Sequence, residues 1–181
     1  MERNVTMIAL FAALIAVLGL IPKFDLASGV PITAQSLGVM LCGTVLGARK
    51  GALAVLLFLL LVALGLPLLA GGRGGLGLFT SASGGFLIGW PIAAFVTGWI
   101  VERSPRAPLA LMAGIAAMIG GIIVMYIPGI YGMSVVLGKT LPEATALATP
   151  FIPGDLVKAV LAGAITATLE SARPGSILSR I

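Results

Sequence analysis

The chain has 181 residues, 59% of them hydrophobic and only 9% charged, with a mean hydropathy of +1.17. That balance excludes a soluble domain, whose surface needs far more polar residues, and points to one integral membrane domain over residues 1–181. The net charge of +5 would suggest nucleic acid only if the basic residues clustered; they are instead spread between apolar segments, as topology signals are. There is no His, the commonest general base and metal ligand, and the single Cys42 allows neither an intramolecular disulfide nor a metal cluster.

Met1-Glu2-Arg3-Asn4 before an apolar run superficially resembles a signal peptide. No small-residue cleavage site precedes Lys23, so the run reads as a retained first span, Thr6 to Ile21. Its Ala9/Ala13 and Ala12/Ala16 pairs are spaced i,i+4. Each pair makes a flat groove for another helix, either of this chain or of a second membrane subunit. Pro22 to Pro31 is a loop by its breakers. The second span runs from Pro31 to Ala48, and Thr33 and Ser36 at its entrance suit capping. The amide of Gln35 there suits a ligand or an interhelical bond equally.

Arg49-Lys50 separates this span from the third, Gly51 to Leu66, which Gly65 and Pro67 end. Nine glycines then fall between Gly65 and Gly89. Leu76, Leu78, Phe79 and Phe86 give this stretch something to bury, unlike a flexible linker. Glycines such as Gly71 and Gly72 allow left-handed turns and close backbone approach to a ligand. The stretch lacks the Gly-Lys-Ser/Thr close of a P-loop and the strand context of a dinucleotide fingerprint.

The fourth span, Gly84 to Val101, has Trp90 and Trp99 near its ends, as interfacial anchors or, for Trp90, as the floor of a pocket. The fifth, Leu109 to Ile127, ends at Pro128-Gly129, with Tyr126 and Tyr131 as belt or pocket residues. Leu141-Pro142-Glu143 reads as a turn or a short helix start. Pro150-Phe151-Ile152-Pro153-Gly154 breaks the backbone before the sixth span, Asp155 to Leu169. The expected fold is an all-α membrane protein with six transmembrane helices and an outward-facing ligand pocket capped by loops.

Six spans put both termini on one side, with Arg3, Arg49, Lys50, Arg103, Arg106, Arg173 and Arg180. The other side has Lys23, Arg73, Lys139 and Lys158, so the bias predicts cytoplasmic termini. The entrance of the second span, the Gly-rich loop and the Asp155/Lys158 entrance then share the outer face. Spacing of i,i+3 puts Asp155 and Lys158 on one helix face. They serve as an N-cap and a snorkelling base, as a mutual pair, or as acceptor and donor for a urea or amide group. Arg73 is either solvated or pairs with a carboxylate, and Phe79, Phe86 and Phe151 are apolar walls or plain core. An enzyme is disfavoured, because no His, no Ser-His-Asp set and no pair of catalytic carboxylates is present. No ATP site is present either, which suits a small binding subunit driven by partners.

Three stretches together resemble the BioY family, the biotin-binding substrate-specific components of energy-coupling factor transporters. They are Val30-Pro31-Ile32-Thr33-Ala34-Gln35-Ser36-Leu37-Gly38, Gly65-Leu66-Pro67 through Ala70-Gly71-Gly72-Arg73-Gly74-Gly75, and Pro150 through Lys158. The resemblance covers nearly the whole chain. Where the family commonly shows Gly-Pro-Thr-Gly-Gly-Tyr, this chain has Ser81-Ala82-Ser83-Gly84-Gly85-Phe86, so a tyrosine hydroxyl is missing at Phe86. The resemblance implies biotin as the transported substrate with no cofactor. It also implies a bacterial cytoplasmic membrane location, and a transmembrane coupling protein and two ATPases as partners. Ala9, Ala12, Ala13 and Ala16 would dock on the coupling protein. Candidate substrate contacts are Thr33, Gln35, Gly71, Gly72 and Arg73, with Phe79, Ser83, Phe86 and Trp90 beside them. Tyr131, Asp155 and Lys158 complete the set, Asp155 and Lys158 suiting the ureido ring and Arg73 the carboxylate. Two alternatives remain: a binding subunit for another vitamin, or a membrane assembly protein that transports nothing.

Overall fold

In hydrocarbon the backbone must satisfy its own polar groups, so long apolar segments form helices. A computed structural model describes residues 2–26 and 28–180, and contains six helices among them. They are α1 (Glu2–Leu18), α2 (Gln35–Leu46), α3 (Ala48–Ala63), α4 (Gly84–Glu102), α5 (Leu109–Leu137) and α6 (Leu141–Ala172). Among the described residues, α4, α5 and α6 are the helices long and apolar enough to cross a membrane by length and composition. Among the described residues the extended pairings are two isolated antiparallel bridges, Phe24 with Ile32 and Leu69 with Arg73.

α2 is the central element. Eleven of its twelve residues are buried, and it touches each of the other five helices. At about 1.5 Å per residue it is about 18 Å long, well short of a hydrocarbon core of about 30 Å. It begins at Gln35, four residues later than expected, because Ile32 pairs with Phe24 and holds the preceding segment extended. Gly47, rather than Arg49-Lys50, divides α2 from α3. Its φ of 85° suits glycine, and a Cβ there would lie 2.2 Å from Glu102 Oε1. Arg49 and Lys50 therefore sit in the first turn of α3.

Two expected helix ends are absent. α5 runs through Pro128-Gly129 to Leu137, passing through a π-helical segment at Ile119–Val124 just before the proline. Wider turns of that kind absorb the hydrogen bond that proline cannot make. α6 starts at Leu141, where Thr140 and Glu143 form a capping box, and Pro150 is accommodated by a short 3-10 turn at Thr149–Phe151. Proline is tolerated there because it occupies the first positions of a new helical segment.

The helices approach closely where small residues face each other. At Gly85 of α4 a Cβ would lie 2.1 Å from the Pro128 carbonyl of α5, so only glycine permits that crossing. Hydroxyls tie further pairs: Thr166 Oγ1 donates to Thr44 Oγ1 at 2.8 Å, and Thr97 Oγ1 to the Ala116 carbonyl at 3.2 Å. Arg3 donates to the Gly175 carbonyl and Arg180 to the Pro105 and Ala107 carbonyls, which gathers both terminal segments and the α4–α5 turn at one end.

Candidate functional site

At the other end lies a cavity that opens to solvent, with about 580 Å³ of empty space in and in front of it. Its wall comes from the extended segment Val30–Thr33, the start of α2, the Leu69–Arg73 turn, α4, α5 and α6. Because α2 stops short, its first residues meet this space and contribute Gln35 and Ser36.

One side of the wall is a closed polar network around Asp155, which is 4% exposed. Lys158 Nζ donates to Asp155 Oδ1 at 2.8 Å and to Ser36 Oγ at 2.9 Å. Ser36 Oγ donates to the same Oδ1 at 3.1 Å, and Tyr126 OH donates to Oδ2 at 2.7 Å. Helical i,i+3 spacing brings Asp155 and Lys158 together, and α2 and α5 supply the rest. A carboxylate beside an ammonium presents an acceptor next to a donor with no net charge.

The aromatic side is equally ordered. Phe86 packs edge-on against Tyr126 and Phe151, with centroids 5.8 and 5.9 Å apart, and Trp90 lies 6.1 Å from Phe58. Such tilted pairs are the favoured aromatic geometry. Trp90 is buried in the cavity wall, while Trp99 is 44% exposed.

The remaining polar groups are less fully bonded. Arg73 Nε donates to the Ala70 carbonyl at 3.2 Å, and no carboxylate pairs with its guanidinium among the described residues. Ser83 occupies the N-cap position of α4 yet makes no capping bond. Its Oγ is buried in the cavity wall without any partner. Buried hydroxyls are nearly always bonded, so this one is placed to bond a polar group that enters the cavity.

Of the sequence-derived candidates, Thr33, Gln35, Arg73, Ser83, Phe86, Trp90, Asp155 and Lys158 line the cavity. Gln35 does so as a brace: its amide donates to the Ile15 and Leu68 carbonyls, both at 3.0 Å, and accepts from Ala70 N–H at 2.9 Å. Gly71 and Gly72 fall outside the lining; with φ of 80° and 69° they form the turn that carries Arg73. Phe79 packs on the core outside the cavity, and Tyr131 is 65% exposed on the far face of α5. Ser36 and Tyr126, expected from the sequence as a capping residue and as a belt or pocket residue, also line the cavity. Tyr126 shares a face with Gly129 and Met133, at i+3 and i+7, and that face packs inward. Tyr131, five positions on, points away.

The alanine grooves of α1 separate. Ala9 and Ala13 are exposed, whereas Ala12 is buried at 4% and Ala16 packs against the core. Ala12 thus packs within the chain, and Ala16 is partly buried against the same core.

Comparison with known proteins gives a consistent result. A model of the BioY family matches residues 2–175. A biotin transporter BioY of Rhodobacter capsulatus is 59% identical over 189 residues, covering 99% of this chain and 100% of that protein. A biotin transporter BioY of Rhizobium etli is 52% identical over 166 residues, covering 88% of this chain and 89% of its own. The 2.1 Å crystal structure of the S-component for biotin from an ECF-type ABC transporter superposes with a TM-score of 0.89. It is 31% identical, with 94% of this chain and 92% of that chain covered.

Proposed function

Because this chain belongs to the BioY family, we propose that it captures biotin for uptake as the substrate-specific component of an energy-coupling factor transporter. It is a membrane transport protein and not an enzyme. Biotin combines a ureido ring, an apolar bicycle and chain, and a carboxylate. The Asp155 carboxylate accepts from the ureido N–H groups, and the Lys158 ammonium donates to the ureido carbonyl. Phe86, Trp90 and Phe151 cover the bicycle, and Arg73 holds the carboxylate at the other end. The observation that carries this reading is a cavity whose wall presents an acid and a base together, along with the Ser83 Oγ that has no partner among the described residues.

The transport cycle draws its energy from two partner ATPases through a transmembrane coupling protein, since this chain has no nucleotide-binding motif of its own. The exposed Ala9/Ala13 face of α1 is the surface offered to that coupling protein. The chain resides in the bacterial cytoplasmic membrane with both termini inside, as the excess of basic residues at that end favours. Binding of labelled biotin to detergent-purified protein tests the reading. Asp155→Asn should weaken binding about 100-fold or more, the scale of losing one member of a buried charge pair. Unchanged affinity in a folded variant would sink the assignment.

A further inference from the structure

A second cleft lies at the end that gathers the terminal segments, with about 1170 Å³ of empty space in front of the first turn of α3 and the last turns of α4. Arg49, Lys50 and Arg103 line it, and Phe95 and Trp99 form its aromatic floor. The one carboxylate in the lining, Glu102, is turned to backbone, its Oε1 accepting from Ala48 N–H at 2.8 Å. None of the three cations is paired with a carboxylate among the described residues. Arg103 lies over the Trp99 ring, 4.7 Å from its centroid.

The floor continues up the outside of α4. Ile88, Ile92, Phe95 and Trp99 are all exposed and fall at successive spacings of four, three and four, so they form one stripe that ends at Arg103. From Ile88 to Trp99 the stripe is about 16 Å long at about 1.5 Å per residue, close to half of a hydrocarbon core of about 30 Å. An apolar track one leaflet deep, ending in three cations without a carboxylate partner among the described residues, complements the shape and charge of a phospholipid with an anionic headgroup. A docking helix would instead want the small residues that let backbones approach, and this stripe has Ile, Phe and Trp.

We propose that this cleft binds an anionic phospholipid of the terminal-side leaflet, its headgroup on Arg49, Lys50 and Arg103 and an acyl chain along the α4 stripe. A topology signal alone requires basic residues at this end; it does not require that they converge on one cleft with an aromatic floor.

Trp99 is the natural reporter, because Trp90 is buried in the other cavity. The full chain in detergent is titrated with phosphatidylglycerol carrying brominated acyl chains, and separately with brominated phosphatidylcholine, and indole quenching is followed. Phosphatidylglycerol should reach half-quenching at a mole fraction lower by about fivefold or more. R49Q/K50Q should abolish the preference, whereas R106Q/R173Q, which removes the same charge outside the cleft, should keep it. Equal quenching by the two lipids in the unmodified protein overturns the proposal without any variant. So does a preference that survives R49Q/K50Q, or one that millimolar inorganic phosphate displaces, since free phosphate would then be the ligand. Loss of partner subunits from R49Q/K50Q with the lipid preference intact would also overturn it, by making the cleft a protein contact.

Discussion

Two stretches of the cavity wall differ in how completely their polar groups are bonded. Around Asp155 both carboxylate oxygens are already bonded, by Lys158, Ser36 and Tyr126. Elsewhere in the lining, Ser83 Oγ has no partner and Arg73 no carboxylate among the described residues. A closed network holds its shape without ligand and must exchange bonds to admit one. An open wall waits for bonds it lacks. The first wall therefore sets geometry before binding, and the second gains most from it.

The largest test breaks the closed wall from the base side. Lys158→Met leaves Asp155 buried with its charge uncompensated, and should destabilise the ligand-free protein by roughly 3–5 kcal/mol. Adding Asp155→Asn should restore most of that stability, as read by thermal unfolding in detergent, while biotin binding stays lost. If the double variant is no more stable than Lys158→Met alone, the pair is not a coupled unit. Next comes the open wall. Arg73→Gln should weaken biotin about tenfold or more, the scale of a hydrogen bond to a charged group, and leave the affinity for biotin methyl ester unchanged. An equal loss for both ligands would remove Arg73 from the carboxylate.

A smaller effect is expected at the unpartnered hydroxyl. Ser83→Ala removes a buried group that nothing satisfies, so the ligand-free protein should gain up to about 1 kcal/mol while biotin affinity falls roughly fivefold. A loss of stability instead would mean that the hydroxyl is already bonded without ligand. The smallest change belongs to Tyr131→Ala, which should leave biotin titrations within error because the side chain lies outside the cavity. A clear loss there would redraw the pocket.

Most of the site could be read from the chain because its chemistry stands out against an apolar background. Asp155, Lys158 and Arg73 are conspicuous in a sequence that is only 9% charged. The residues whose place in the site the chain leaves open are ones whose role depends on neighbours from other helices. Ser36 is an ordinary capping residue until α6 sets Asp155 beside it. Tyr126 and Tyr131 look alike along the sequence, and only the packing of α4 on α5 through Gly85 tells them apart. Gln35 had the right location, but its amide is used to hold α1 and the loop before Arg73. Pro128 and Pro150 look like stops along the sequence, whereas a π segment and a 3-10 turn let the helices continue past them.

The π segment of α5 has a consequence for registry. A wide turn accommodates one residue more than an α-turn, and each residue of an α-helix is worth about 100° of rotation. Everything on α5 after Val124 is therefore phased by that insertion. Deleting one residue within Ile119–Val124 would turn the helix back and swing the phenol of Tyr126 away from Asp155 and Phe86, without altering any residue that faces the ligand. The aim of the binding site is set by a count of residues upstream as well as by the side chains that line it.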